Sequence, residues 1–315
     1  MSVVHGRKVF LTFDVEDFVN ERSIEALRFI LRTLKRHKLR GIFFIMGQMA
    51  EKLAGYKEIL DLLSDQQIGY HSSSHSVRPT ILEYTDIEDY AGARLESERR
   101  ETSHINPLTG AIEGRGGINS LRESFPDHRI EAFRAPDYCW SPPHFQALTE
   151  LGIKFDFSTK LFPEPAAFKG ITFYPYPICH NWDRRSVYVA LMRALLSKQT
   201  TVLNFHDWYF VNANAWNQCY VVGNPEKLMM TSPRSREEMM RMFSTFELFI
   251  SKIRALQRVN LFEVTPKLEL LSGDRSIDRA SVAKNCSEMA AWYKRYYNYE
   301  PRYLCRHFET FFFGA

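Results

Sequence analysis

The 315 residues carry 41 Lys and Arg against 37 Asp and Glu, a net charge of +4 that tolerates an anionic partner without requiring one and gives no nucleic-acid signal. A hydrophobic fraction of 45% with 25% charged residues excludes disordered and collagen-like chains, and 24 Phe with 15 Tyr supply a large core. The five cysteines, Cys139, Cys179, Cys219, Cys286 and Cys305, are odd in number and form no CxxC pair; with no signal-peptide pattern and no apolar run of membrane-spanning length, the expectation is a cytoplasmic protein in a reducing compartment.

Short β-rich runs alternate with longer helical patterns along the chain. "KVFLTF" (8–13) predicts a buried strand, and the amphipathic stretch 23–38 predicts a helix with Ser23 as its N-cap. "RGIFFIMG" (40–47) is a second strand, a helix over 56–66 leads to the strand "IGYHS" (68–72), and a helix over 86–102 leads toward "IEAFRAP" (130–136). Residues 142–152 (helix), 153–158 (strand), 187–199 (helix) and 201–207 (strand) continue the pattern, and 258–266 is the last strand. Such alternation predicts a parallel α/β sheet curled into a barrel. Two polar, Gly- and Pro-containing stretches, 103–129 and 209–235, interrupt it as loop insertions, and long loops in a compact domain are more often functional than accidental. Residues 1–271 are expected to form the barrel, with 272–315 a helical C-terminal extension packing on it.

Active sites of such sheets form at the carboxyl ends of the strands. Here the strands end, in turn, in Asp14, His71, Arg134, Asp156 and His206–Asp207. In "YHSSSHS", His71 and His75 are four residues apart, which places both imidazoles on one side if the segment turns helically. Two histidines and a carboxylate suit zinc, iron, cobalt or nickel. "LTFDVEDFVN" packs Asp14, Glu16 and Asp17 behind an apolar strand. Close carboxylates destabilise one another unless a cation or proton sits among them. The bland alternative is a cap and charged loop entering the helix; the functional one divides the labour, with one carboxylate on a metal and another accepting a proton from water. Arg134 can pair with Asp156 and orient a catalytic carboxylate, and His206 can act as a general acid.

"TFDVED", "HSSSH", "FRAP", "FDFSTKLFP" and "LNFHD", in that order, resemble the motifs of the polysaccharide deacetylases of carbohydrate esterase family four, over roughly residues 8 to 265. The resemblance implies a distorted (β/α)7, TIM-like barrel with a divalent metal, zinc first and iron, cobalt or nickel as alternatives. It makes Asp14 the base, His71 and His75 metal ligands, Arg134 the residue that positions Asp14, Asp156 the brace of Arg134, and His206 the acid. Val15 stands where many members carry the ligand Asp, so the third ligand falls to Glu16, with Asp17 as second choice.

The activity implied is hydrolysis of an N-acetyl group to acetate and a free amino sugar, the oxyanion being met by the metal and the backbone N–H of Tyr138. Tyr138, Trp140 and Trp208 are candidate substrate contacts; Trp182 and Tyr209 also lie near the motifs, and core packing is as good an account of each aromatic. A cytoplasmic enzyme would meet an N-acetylated nucleotide- or lipid-linked glycan precursor, which Arg184 and Arg185 would suit, as well as an oligosaccharide. Two other readings compete: an allantoinase-like ring-amide hydrolase on the same barrel, favoured by a small closed pocket, and a catalytically silent glycan-binding module.

Overall fold

The structure is a computed structural model that describes residues 6–179, 184–197 and 200–314. Its plan is set by β1 (Arg7–Val15), whose residues are buried on both faces from Val9 onward. Val9, Leu11 and Phe13 join the large hydrophobic cluster shared with the helices Glu21–His37 and Arg236–Arg258, whereas Phe10 belongs to a separate, smaller cluster. Side chains alternate along a strand, so Thr12 and Asp14 follow Phe10 on that second, inner face.

The other strands are β2 (Ile42–Ile45), β3 (Gln67–Tyr70), β4 (Ser103–Ile105), β5 (Ile112–Arg115), β6 (Ala132–Phe133), β7 (Phe155–Asp156), β8 (Ala166–Phe168), β9 (Ile171–Phe173), β10 (Ile178–Cys179), β11 (Thr201–His206) and β12 (Phe262–Val264). The main sheet has the order β10-β11-β1-β2-β3-β6-β7-β9-β8, with β12 also on β1. The run β11-β1-β2-β3-β6-β7-β9 is parallel throughout, and β8 closes back on β9 as an antiparallel hairpin. Among the described residues no pairing joins the two ends, so this is a distorted, open (β/α)7-type barrel. Its interior holds Phe10, Ile42, Phe44, Ala132, Phe155, Phe157, Tyr174 and Val202, drawn from strands all round the curl. Gly69 is where this interior is tightest: a Cβ there would stand 2.6 Å from the Phe44 ring. The same period of two that stacks this apolar floor sets Thr12, Asn204 and Arg134 above it, and Asp14 and His206 above those, with Thr12 opposite Asn204 and Asp14 opposite His206 in register.

Several expectations are corrected. The first helix begins at Glu21 with Asn20 in the cap position, and Ser23 lies inside the helix with its hydroxyl turned to Asp17. Residues 103–129 are not a bare loop; they contain the antiparallel β4–β5 hairpin and the helix Ile118–Ser124. Residues 209–235 contain the short helix Gln218–Val221. Residues 71–76 are not helical: Ser72 and His75 sit in the left-handed region (φ 67° and 50°), so a strained loop rather than a helical turn brings the two imidazoles together.

The C-terminal helices Arg279–Tyr297 and Leu304–Phe313 share the barrel's larger hydrophobic cluster through Val282, Met289, Tyr293, Leu304 and Phe308. Phe308 lies 4.9 Å from the Trp140 ring and Phe312 4.8 Å from Phe168. The buried Asp86 carboxylate ties the turn between them to the barrel, accepting from the Tyr299 hydroxyl (2.7 Å) and the N–H groups of Arg302 (2.7 Å) and Tyr303 (2.9 Å). Cys286 and Cys305 are disulfide-bonded across this pair, a link the cysteine spacing did not suggest and one that persists best in oxidising compartments. Non-reducing peptide mapping of protein made in an oxidising compartment should recover Cys286 joined to Cys305. Cys305→Ser should lower stability to denaturant by about 2–4 kcal/mol. Recovery of both residues as free thiols would remove the bond.

Candidate active site

The site is built on Arg134, which is fully buried. β6 delivers it inward because Ala132 faces the barrel interior and Phe133 faces the outer cluster. Its guanidinium carbon lies 4.3 Å from the centre of the Phe44 ring, on the apolar floor. Above, Nη1 donates to Asp14 Oδ1 (2.7 Å) and Asn204 Oδ1 (2.6 Å), and Nη2 donates to Thr12 Oγ1 (2.9 Å). Asn204 completes the cradle by donating from Nδ2 to Asp14 Oδ2 at 2.7 Å.

Asp14 is therefore gripped at both carboxylate oxygens. Burial works against its charged form, but the Arg134 guanidinium, helped by His71 and His206, overrides this and holds the carboxyl below its ordinary range. His206 Nε2 is 3.4 Å from Asp14 Oδ2, and the ring is partly exposed, so a proton donor and a carboxylate face one space.

One residue pair further along, Glu16, His71 and His75 offer three ligand atoms that all lie within 4.8 Å of one another, all buried. His71 and His75 Nε2 stand 2.9 and 3.0 Å from Glu16 Oε2. The other ring nitrogen of His71 is 2.8 Å from the Arg134 carbonyl oxygen and donates to it, which turns the Nε2 lone pair toward Glu16. His75 Nδ1 meets Ser76 Oγ at 2.5 Å, and Asn217 donates to that hydroxyl at 2.8 Å. Glu16 Oε1 is fixed by the indole N–H groups of Trp208 (2.8 Å) and Trp216 (3.0 Å). Two imidazole nitrogens and a carboxylate oxygen, with outer partners on each, fit a divalent ion of zinc type. Burial disfavours the charged forms of Glu16 and His75, and their mutual attraction outweighs it, so Glu16 lies well below and His75 above its ordinary value.

Asp17 does not join this cluster. Its oxygens accept from the Asn20 and Val19 N–H groups, the Asn20 side chain, the Ser23 hydroxyl (2.5 Å) and Asn212 (3.1 Å), which makes it the pivot of the turn into the first helix. Asp156 makes no hydrogen bond or ion pair with Arg134 among the described residues, because Phe155 and Phe157 point inward and Asp156 therefore points out, although the guanidinium still favours its charged form through space. It accepts from the Ser158 hydroxyl (2.6 Å), which in turn accepts from the Ala135 N–H (2.7 Å), so Asp156 steadies the "FRAP" loop one step removed. Burial raises its pKa to about 6. The Tyr138 N–H donates to the Ala135 carbonyl (3.0 Å), which commits it to the turn rather than to an oxyanion. The Tyr138 hydroxyl accepts from Asn204 at 2.9 Å. Trp140 is a core residue, 1% exposed between Phe145 and Phe308, and not a substrate contact. Trp208 lines the cavity while holding Glu16; Tyr209 packs with it at 5.6 Å and is absent from the cavity wall. Trp182 and the side chains of Arg184 and Arg185 lie outside the described residues.

Asp14, Glu16, His71, His75, His206, Tyr138 and Trp208 converge on one cavity of about 110 Å³. Sequence inspection missed Thr12, Asn204, Trp216 and Glu101. Thr12 and Asn204 had a signal, each standing two residues before a site residue on a strand. Trp216 arrives from the 209–235 insertion. Glu101, buried, accepts from Tyr70 (2.6 Å), Tyr84 (2.8 Å), His144 (3.0 Å) and the Ser73 N–H (2.8 Å), and so anchors the histidine loop from a helix end.

Arg134→Met should cost about 3–5 kcal/mol, because it strands the Asp14 carboxylate in the interior; a denaturant midpoint equal to that of the natural chain would refute the cradle. Asp207, beside His206, is raised well above the ordinary Asp value by burial and by Asp17 and Glu16 nearby, and its Oδ2 has no partner among the described residues. Above about pH 4 an unfolded Asp loses its proton while the native Asp207 keeps it, so stability falls as pH rises toward the native value. Asp207→Asn has no proton to lose, and its thermal midpoint should gain on that of the natural chain with rising pH; parallel curves would show Asp207 is not held neutral.

No curated protein matches the chain. Among solved structures it is similar to a Streptococcus mutans family 4 carbohydrate esterase (16% identity, 82% of this chain and 85% of that one, TM-score 0.46). It is also similar to a family 4 carbohydrate esterase from Bacillus anthracis (14%, 82% and 80%, 0.42). A third is a mutant, with restored enzymatic activity, of a family 4 pseudoenzyme from the same organism (12%, 82% and 65%, 0.43); the chain spans about two thirds of that protein's length. The family model for polysaccharide deacetylases matches residues 2–155, the segment that supplies Asp14, Glu16, His71, His75 and Arg134, and over that segment the chain carries the pattern of the polysaccharide deacetylase family.

Proposed function

We propose that the protein hydrolyses the N-acetyl group of an amino sugar in a glycan, using a divalent metal, zinc by its donor set, held by Glu16, His71 and His75. The observation that carries this is the meeting, on one cavity, of a buried three-donor cluster with a separately cradled carboxylate and a histidine 3.4 Å from it. When bound, the ion supplies a Lewis acid for the amide carbonyl and makes water more acidic. Asp14 accepts the proton that water gives up; Arg134 and Asn204 keep it ionised and aimed, at the price of some basicity. His206, 3.4 Å from the Asp14 oxygen that Asn204 also grips, gives a proton to the leaving amine. Trp208 and Trp216 hold Glu16 by one oxygen and leave Oε2 to the cluster.

Sugar is favoured over a ring amide because the cavity is not isolated. Asp137, Tyr138 and His206 also line a second, aromatic cleft of about 290 Å³. The nucleotide- or lipid-linked precursor follows only from a cytoplasmic location, and the Cys286–Cys305 bond weighs toward an oxidising one and an oligosaccharide or polymer. A silent glycan-binding module could keep the Asp14 cradle for stability, but it has no use for the buried three-donor cluster beside it.

Zinc-loaded protein should release acetate from an N-acetylglucosamine tetramer and stop on chelation. Asp14→Asn should keep its zinc content and lose about 10²–10⁴-fold in kcat, whereas His71→Ala should lose the zinc itself, read by elemental analysis. Allantoin hydrolysis without acetate release from any N-acetylated sugar would reject the proposal in favour of the ring-amide enzyme.

A further inference from the structure

Outside the residues that carry the family's motifs, the helix Arg279–Tyr297 forms one wall of the second cleft. It contributes Asn285, Glu288, Met289 and Trp292, opposite Tyr138, Tyr176 and Lys160. Its position is fixed at three points: the Tyr297 hydroxyl donates to Asp137 at the mouth of the catalytic cavity, Cys286 is bonded to Cys305, and Met289 and Tyr293 are buried in the shared core. The Asn285 side chain is 7% exposed and its amide nitrogen has no hydrogen-bond partner among the described residues. A buried amide donor without a partner, on the wall of a cleft, is a group whose desolvation is offset only when something else accepts from it. Trp292 is 41% exposed and Tyr176 36%, and both line the cleft, Trp292 packed on Tyr296 at 4.0 Å and Tyr176 against Tyr138 at 4.6 Å.

From this wall we infer that the C-terminal helix is a saccharide subsite: Asn285, Glu288 and Trp292 hold a sugar ring joined by a glycosidic bond to the residue being deacetylated, and an uncharged N-acetylated oligosaccharide is the substrate class. The inference rests on the deacetylase reading for its polarity. His206 stands between the two spaces and lines both, so the part of the substrate attached to the leaving amine lies toward the cleft and the acetyl group toward the metal ligands. The chemistry of the wall is that of a neutral pyranose. An indole and a phenol offer faces for its apolar side, the Asn285 amide donates to a hydroxyl, and the Glu288 carboxylate accepts from one. A phosphate-bearing donor fits worse: the cleft's Lys160 ammonium already lies 4.0 Å from Glu288 and 4.7 Å from the Tyr176 ring centre, and Asp137 adds a second negative group. The volume of about 290 Å³ is near the lower end of ligand sites, which run from about 300 to 1,000 Å³, and so suits a short glycan segment.

The test compares the natural chain with Trp292→Ala and Asn285→Ala, the first an exposed position whose loss leaves the core intact. Each is assayed for acetate release and, separately, for binding by calorimetry, with the N-acetylglucosamine tetramer and with uridine diphosphate N-acetylglucosamine. The expected result is a rise of about tenfold or more in both KM and Kd for the tetramer in each variant, with kcat moving less than KM, and weaker binding of the sugar nucleotide than of the tetramer to the natural chain. Unchanged KM and Kd for the tetramer in Trp292→Ala, with acetate still released, would overturn the subsite and leave the deacetylase standing. Tighter binding of the sugar nucleotide would overturn the neutral substrate class. Tetramer binding that depends on Trp292 without acetate release from any glycan would keep the subsite and overturn the deacetylase, and absence of both binding and release would overturn the two together.

Discussion

A guanidinium with no exposure to solvent has to be paid for by every group around it, and the Arg134 environment organises the whole molecule to that end. A buried charge is tolerated only when it is paired and its donors are satisfied. Arg134 is held by lying on the Phe44 ring while its two terminal nitrogens donate to Asp14, Asn204 and Thr12. Three strands, β1, β6 and β11, must stand in one register for those partners to meet, and the pairing of Thr12 with Asn204 and of Asp14 with His206 provides it. Catalytic geometry and fold stability are here the same set of bonds. The Arg134 carbonyl even orients His71, so the backbone of the same residue reaches into the Glu16–His71–His75 cluster.

The crowding of acids at the end of β1 resolves into four carboxyls with separate electrostatic solutions. Asp14 is neutralised by Arg134, and Glu16 by two imidazoles and two indole N–H donors. Asp17 is absorbed by a turn and a helix start. Asp207, reached from β11, is left with no cation and is held in its neutral form by burial and by its acidic neighbours. Because three have partners of their own and the fourth stays neutral, the acids sit together without mutual collapse of the site. Left-handed backbone at Ser72, His75, Asp137 and Tyr138 marks the same rim, strain being tolerated where the surrounding bonds over-determine the loop. Glu101 is one source of that over-determination, holding the Ser73 N–H with a carboxylate that two tyrosines and a histidine also bind.

The family match ends at residue 155, yet the site does not. His206, Asn204, Trp208 and Trp216 come from beyond it, and the helix Arg279–Tyr297 reaches Asp137 from the far end of the chain. On the proposed mechanism the motif half supplies base and metal ligands, and the remainder supplies the acid, the second set of outer bonds and the wall of the neighbouring cleft. Specificity is therefore expected to reside in the C-terminal region beyond the family match, as is usual where loops and added elements are hung on a shared barrel.

The sequence by itself determined the alternation of strands and helices, the delivery of Asp14, His71, Arg134 and His206 to the strand ends, and the resemblance that joins them, because period-two burial and strand-end placement are local properties. It could also set Glu16 beside the histidines as a candidate, since Val15 removes the usual neighbour. It did not determine that Asp156 faces outward, that Trp140 is core, that the Tyr138 N–H is spent in a turn, or that Cys286 meets Cys305. Each of these depends on the parity of a two-residue strand, or on contacts between residues distant in the chain, and neither is written in a short window of residues. Tertiary structure alone decided which of three adjacent acids faces the imidazoles, because that choice is made by a turn at Asp17 and by two tryptophans some 190 to 200 positions away.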